Sequence, residues 1–381
     1  MLVVFGLLPP GEALAGVERG TDVYLFLTGM MLLAELARLE GLFDWLAAHA
    51  AGHARGSARR LFILVYAVGT LVTVFLSNDA TAVVLTPAVA AVVRAAGARE
   101  ALPYLLVCAF IANAASFVLP ISNPANLVIY GTHMPPLATW VPRYALPSVL
   151  SIIATYLVLR LTQRRALRDV LPAPVPMPSL ALGGRLAAAG IAATAVALLA
   201  CSARDLALGL PTCLAGVLTT VLVLILTRGS ARQVVREISW GILPLVAGLF
   251  VLVQALERSG LTAVLARGLE TLASGSAVLA AWVCAVALAI GCNLANNLPA
   301  GLLAGRVVQI AHVPEQVRSA VVIAVDLGPN LSVTGSLATI LWLTALRRDG
   351  QHVGALDFLR AGALVMPPAL ILALAAALVR S

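Results

Sequence analysis

Apolar runs separated by short polar stretches cover nearly the whole chain. Residues 22–37, 142–160, 186–202, 206–227, 239–256 and 357–379 each read as one span, since they approach or reach the length a helix needs to cross a bilayer. Four further apolar stretches are interrupted. The stretch 61–93 breaks at the polar island Phe75-Leu76-Ser77-Asn78-Asp79-Ala80-Thr81, and 276–312 breaks at 293–299. The run 101–131 breaks at 122–126, and 317–346 breaks at 328–330. Pro9 to Gly20, 38–60 and 257–275 read as loops.

The pattern repeats. Adding 219 to a position in the first half carries Gly29 to Gly248, Gly41 to Gly260 and Asn78 to Asn297. An offset of 204 carries Asn126 to Asn330 and Gly131 to Gly335. The chain divides accordingly into a first repeat at 1–160, a linker at 161–184 and a second repeat at 185–381. The linker holds Arg164, Arg165 and Arg168, then Pro172, Pro174, Pro176 and Pro178.

Topology follows from charge. If 61–93 and 276–312 enter and leave on one side, and 101–131 and 317–346 cross once, 17 Arg fall on one side and 8 on the other. The richer side, with the linker, is the cytoplasmic one. This arrangement inverts one half relative to the other. The predicted fold class is an all-α polytopic membrane protein of two inverted-topology repeats, each with a re-entrant hairpin and a broken transmembrane helix. That is a secondary-transporter architecture, with substrate bound at the repeat interface. The second half has two spans before its Gly248 span, so the offset makes residues 1–8 the tail of a span that starts upstream. The first repeat is then short by one to two spans, and a natural product starting about 40–50 residues earlier is expected; a first half that evolved with fewer spans is the alternative.

Composition sharpens this. The chain of 381 residues is 61% hydrophobic and 11% charged, with mean hydropathy +0.99. A soluble domain is about a quarter charged. The net charge of +8 comes from Arg residues mostly in short loops, where they orient spans, and does not suggest nucleic-acid binding. Cys108, Cys201, Cys213, Cys284 and Cys292 form no pair of metal-site spacing. His49, His53, His133, His312 and His352 fall in expected loops. No metal site and no cofactor are expected.

The breaks carry the chemistry. A helix interrupted in lipid leaves backbone groups unpaired, at several kcal/mol each. Protein, water or a ligand must satisfy them. Helix N-termini gathered at one depth also make a partly positive site. Asn side chains both donate and accept, which suits a small polyhydroxylated solute better than a bare cation. The candidate solute-binding residues are Ser77, Asn78, Asn123, Asn126, Asn296, Asn297 and Asn330. Any single Asn can instead be packing glue between helices. Asp79 is the leading candidate for proton coupling, because an acid inside the membrane is functional by default. A sodium site and a structural cap are its other readings. Asp326 is the second candidate and Glu35 a third. Cys292, beside the second break, reads as a soft-metalloid ligand or as a small apolar packing residue.

These stretches resemble the arsenical pump membrane protein family, the arsenite/antimonite efflux transporters of the ion-transporter superfamily. The resemblance runs over essentially all of the chain. It rests on Leu76-Ser77-Asn78-Asp79-Ala80-Thr81, Pro120-Ile121-Ser122-Asn123-Pro124-Ala125-Asn126-Leu127, Asn296-Asn297-Leu298-Pro299 and the run from Asp326-Leu327-Gly328-Pro329-Asn330 to Ile340-Leu341-Trp342. It implies export of trivalent arsenic and antimony hydroxides from a prokaryotic cytoplasm across the cytoplasmic (inner) membrane, in exchange for protons. It also implies a protein that works alone or beside a soluble arsenical ATPase. Members of the family usually begin with one or two more spans. The dicarboxylate branch carries Ser-Asn-Thr in both hairpins; Ser77-Asn78-Asp79 and Asn296-Asn297-Leu298 depart from that. A sodium/proton antiporter and an uncoupled channel for neutral solutes are the competing functions.

Overall fold

The structure, a computed structural model, describes residues 3, 5, 6, 8–131 and 134–379. Helices α1 (Pro10–Arg19), α2 (Thr21–Leu39) and α3 (Leu42–Ala54) lead into α4 (Ala58–Phe75). After a break at Leu76 and Ser77, helix resumes at Asn78 and passes through a π-helical stretch (Ala80–Leu85) into α5 (Thr86–Ala95). Helix α6 (Leu102–Ala114) ends in a break that holds a 3-10 turn, Pro120–Ser122, and resumes as α7 (Pro124–Tyr130). Helix α8 (Leu137–Thr162) closes the first half.

The second half runs α9 (Leu182–Ser202), α10 (Gly209–Thr227), α11 (Ala231–Glu237), α12 (Ile242–Arg258), α13 (Leu261–Gly275), α14 (Ala277–Ala295) and α15 (Asn297–Ile310). Helix α16 (Glu315–Leu327) then breaks at 328–336 and resumes as α17 (Leu337–Arg348), and α18 (Ala355–Val379) follows. Among the described residues, α4, α8, α9, α10, α14 and α18 are long and apolar enough to cross a membrane. Helices α11 and α12, bent by 41°, make a seventh span if taken together. The fold is thus all-α, polytopic and broken within the membrane.

Three stretches read as loops are helical. Pro9 to Gly20 holds α1, 38–60 holds α3, and 257–275 holds α13. Each helix is shorter than a span and interrupted by charge, so apolar run length did not reveal it. His49 and His53 therefore lie on α3, where the His49 ring packs 4.1 Å from that of Trp45, tilted by 37°. The basic stretch after residue 227 is likewise partly helical, as α11. His133 and most of the 1–8 segment lie outside the described residues.

Local chemistry recurs at the offset of 219. Ser57 and Ser276 each cap the helix that follows, accepting from the N–H of Arg60 and Leu279. Gly41 and Gly260 each start the next helix at positive φ, 73° and 80°, where glycine alone has no steric penalty. The broken helices recur at 213, not 204. Leu102–Ala114 and Glu315–Leu327 are each 13 residues long. The two breaks that follow, 115–123 and 328–336, have equal length, and Asn123 and Ser336 cap the helices beyond them. This register pairs Asn113 with Asp326 and Asn123 with Ser336, and unpairs Asn126 from Asn330.

Helices α6 and α16 run through the core, buried along almost their whole length. Trp140 and Trp342 wall it, their indole N–H groups donating to backbone carbonyls of Phe117 and Leu105 (3.2 and 3.1 Å), as buried indoles must. The 161–184 linker is tied down by main-chain bonds from Leu171 to Gly56 (2.8 Å) and from Ala173 to Ala96 (3.3 Å).

Candidate functional site

The four breaks meet. Asn78 and Asp79, Asn123 and Pro124, Asn297 and Leu298, and Leu337 and Ala338 line one small cavity, closed by Leu27 of α2 and Ile242 of α12. Its volume of about 10 Å³ has room for one water. Each contributing segment is a helix start, where first-turn N–H groups lack intrahelical partners. Asn78 Oδ1 accepts from the Asp79 N–H (2.9 Å) and Ser77 Oγ from the Ala80 N–H (3.1 Å). Capping of the first hairpin thus falls to Ser77 and Asn78. The Asp79 side chain makes no cap bond. Asn123 Oδ1 accepts from the Ala125 N–H (3.0 Å) and Asn296 Oδ1 from the Leu298 N–H (3.3 Å).

Asp79 also lines a second cleft of about 80 Å³, with Ser77, Glu35, Met30, Glu237 and Ser239. Arg38 bonds both Glu35 and Glu237 there, so Glu35 is held in an ion pair. A larger cleft, about 430 Å³, opens at the other end of α2, near Asp22. There Glu257 binds Arg19 (3.1 Å) and Arg306. Leu27 and Ile242 belong to both the small cavity and the second cleft. The α2 residues Asp22 and Val23 belong to the large one. The cavity therefore lies between two openings at opposite ends of α2.

Among the described residues, no Arg lines the small cavity or the second cleft. What converges on the cavity is a set of amides, helix starts and one carboxyl group. This arrangement can hydrogen-bond a small polar solute and hold or release a proton beside it. For an anionic solute it offers the partial positive charge of the helix starts and no charged side chain.

The other candidate residues are placed elsewhere. Asn126 Nδ2 donates to the Ser116 carbonyl (2.9 Å) and Asn330 Nδ2 to the Phe110 carbonyl (3.1 Å). Both bind the framework of the broken helices. Asn296 caps α15 and donates to the Thr334 carbonyl (3.4 Å). Asp326 is buried; its Oδ1 accepts from Asn123 Nδ2, so the carboxyl group touches a residue that lines the cavity. Cys292 and Cys108 are fully buried and line none of these openings. Among the described residues, no group of three His, Cys, Asp or Glu could hold a metal ion.

Sequence reading passed over Asn113, whose Nδ2 donates to Asn330 Oδ1 (3.0 Å). It lies in an unbroken apolar run, and only the 213 register, which pairs it with Asp326, singles it out. It also passed over Asn293, whose Oδ1 accepts from both the N–H and the hydroxyl of Ser332 (2.9 and 2.7 Å).

A family model for citrate transporters (CitMHS) matches residues 1–328. The arsenical pump membrane protein of Yersinia enterocolitica is 29% identical over 364 residues, covering 92% of this chain and 84% of the relative. That of Escherichia coli strain K12 is 27% identical over 396 residues, covering 100% of this chain and 91% of the relative. The crystal structure of the YdaH transporter of Alcanivorax borkumensis superposes with a TM-score of 0.61 at 16% identity, over 96% of this chain and 86% of that one. At that identity the match speaks for the fold.

Proposed function

The chain belongs to the citrate transporter family, and within that family we propose that it exports arsenite and antimonite, as neutral trihydroxides, in exchange for protons. The observation that carries this reading is the cavity shared by Asn78, Asp79, Asn123 and Asn297, with one acid and no basic side chain. A tricarboxylate would call for Arg or Lys at the site, since buried charges must be paired. A neutral trihydroxide needs only donors and acceptors, which three amides and several helix starts supply. The repeated similarity to arsenical pump membrane proteins, spanning nearly the whole chain, supports the same substrate class.

In this mechanism the solute enters from the cytoplasm and displaces water from the helix starts. Asn78, Asn123 and Asn297 orient its hydroxyls. Asp79 is ionised while solute is bound from inside. After release outside it takes a proton and carries it inward. The two halves are read as inverted repeats, each contributing one hairpin tip and one broken helix. The clefts on either side of the cavity are the alternating access routes. The linker faces the cytoplasm in this topology, and the membrane is a prokaryotic cytoplasmic membrane. The exchange draws on the proton gradient and needs no nucleotide, so a soluble ATPase is an optional partner.

The test uses inside-out proteoliposomes with an acid-inside pH gradient and sodium varied separately. Arsenite accumulation that follows the gradient and ignores sodium is expected. Arsenite that merely equilibrates would make the protein a channel. Sodium/proton exchange without arsenite movement would move it to the antiporter class.

A further inference from the structure

A groove of about 480 Å³ between α3, α4 and α9 has no part in the site above: it shares no lining residue with the solute cavity or with either cleft. Its walls are apolar, with Leu46 from α3, Leu71 and Phe75 from the end of α4 beside the hairpin break, and Ile191 from α9. Leu71 and Phe75 are 56% and 43% exposed, so the groove lies open along one side. On a helix that enters a bilayer such a side faces hydrocarbon, and no water is there to fill it.

Two lining side chains carry polar atoms, Arg185 and Trp45, and both are donors. Arg185 Nε donates to the Leu180 carbonyl (2.9 Å). Among the described residues, neither its two Nη nitrogens nor Trp45 Nε1 has a hydrogen-bond or salt-bridge partner, and no acid lines the groove. Trp45 is the fourth residue of α3, which follows the end of α2 that bears Arg38, and Arg185 is the fourth of α9, which follows the linker. The Arg distribution puts both helix starts at the cytoplasmic face. From there Arg185, Ala188 and Ile191 form one stripe of α9 that runs about 9 Å inward. The Glu40 carboxylate meets the same helix start at Gly183, roughly 160° around the helix from Arg185.

We propose that this groove binds one anionic phospholipid of the cytoplasmic leaflet, with its phosphate on Arg185 and an acyl chain laid along Leu46, Leu71 and Ile191 to Phe75. The chemistry matches end by end. A phosphate diester brings acceptor oxygens to a guanidinium with free donors. The Trp45 indole, apolar in body and donating at its tip, suits the ester region between headgroup and chain. The apolar walls take the hydrocarbon. A soluble anion would leave those walls uncovered, and a hydrocarbon chain alone would leave both donors unpaired. One unpaired cation with no acid in the groove favours an anionic headgroup over a zwitterionic one. The groove extends to Leu76, which precedes Ser77, the residue that caps the first hairpin. A bound lipid therefore braces α4 at the edge of its break.

The test is native mass spectrometry of the purified, delipidated full-length protein titrated with phosphatidylglycerol or with phosphatidylcholine of the same chains, alongside thermal unfolding in each lipid. Phosphatidylglycerol should saturate near one per chain, at least fivefold tighter than phosphatidylcholine, and should raise the unfolding midpoint as it binds. Arg185→Gln should remove the preference and most of the rise. Ile191→Trp, which fills the groove, should weaken both lipids, and Arg232→Gln, an exposed basic residue on α11, should change neither. Inorganic phosphate should not displace the bound lipid. Equal binding of the two lipids by folded wild-type protein would overturn the proposal. So would a preference that survives in folded Arg185→Gln protein, or one lost equally in Arg232→Gln, which would make the attraction a general effect of basic charge. A dimer of the chain that closes the groove and excludes lipid would overturn it too. Arsenite transport is not read in this experiment, so its result stands apart from the export proposal.

Discussion

The packing of α2 against α10 makes a sharp test of how the two halves differ. Gly29 lies where the helices cross. A Cβ built there would sit 2.2 Å from the Thr212 carbonyl oxygen, and one on Gly216 would sit 2.6 Å from the Gly29 carbonyl oxygen. Ordinary contact requires a retreat of more than about 1 Å, which the backbone of α10 can give only by moving the whole helix. Phe26 and Leu33, one turn away on α2, are themselves 0% and 1% exposed. Gly29→Ala should therefore destabilise by at least the ~1–3 kcal/mol typical of overpacking. Gly248, which lies 219 residues on, has nothing within 4 Å of its built Cβ, and its neighbours Leu245 and Leu252 are 48% and 40% exposed. Gly248→Ala gains helix propensity and should be neutral or stabilising by up to ~1 kcal/mol. The two substitutions should thus differ by roughly 1–4 kcal/mol. Thermal unfolding of the purified variants in detergent, with recovery of monodisperse protein as a second measure, reads the difference. Equal effects of the two substitutions would refute the argument that backbone contact at Gly29 sets the helix spacing.

Other outcomes follow from the site. Asp79→Asn should fold normally, since Asp79 caps nothing, but should lose arsenite movement driven by the pH gradient; unchanged gradient-driven transport would remove Asp79 from the mechanism. Asn297→Ala deletes one hydrogen-bonding group from the cavity and should raise the half-saturating arsenite concentration about tenfold, the equivalent of roughly 1.4 kcal/mol; an unchanged concentration would place the solute elsewhere. Cys292→Ala should leave arsenite transport within about threefold of wild type, because a buried thiol outside the cavity acts by packing; complete loss in a stably folded variant would point to thiolate ligation. Ser336→Ala removes the hydroxyl that caps α17 and should lower stability by about 1 kcal/mol in the same unfolding assay.

Much of the architecture was legible in the chain. Apolar run length marks spans because lipid demands that every backbone group be satisfied within a helix, and that demand is local. Polar residues inside those runs mark the breaks for the same reason, which is why Asn78, Asp79, Asn123 and Asn297 could be singled out before any contact was known. The offset of 219 was legible because caps and turns are local too: Ser57 and Ser276, Gly41 and Gly260 do the same job in each half. Short helices such as α3 and α13 were not legible, since they are too short to span and their polar positions read as loop.

Which polar residues face a solute and which hold the framework was decided by the tertiary structure alone. Asn126, Asn330 and Asn123 have the same side chain and lie in similar breaks. Only the path of α6 and α16 through the core turns Asn126 and Asn330 toward backbone carbonyls and brings Asn123 to the cavity. The register of 213 was hidden for the same reason, because it is set by the lengths of helices and breaks rather than by matching residues: Asn113 pairs with Asp326, and neither looks like the other. The sequence by itself marked the long apolar helices and the polar residues near their breaks, since lipid imposes those rules residue by residue, while the first helix break, 115–123, begins upstream of the polar residues that marked it. The meeting of four breaks at one cavity, and the burial of Asp326 against Asn123, depend on which helices pack side by side, and no local rule carries that information.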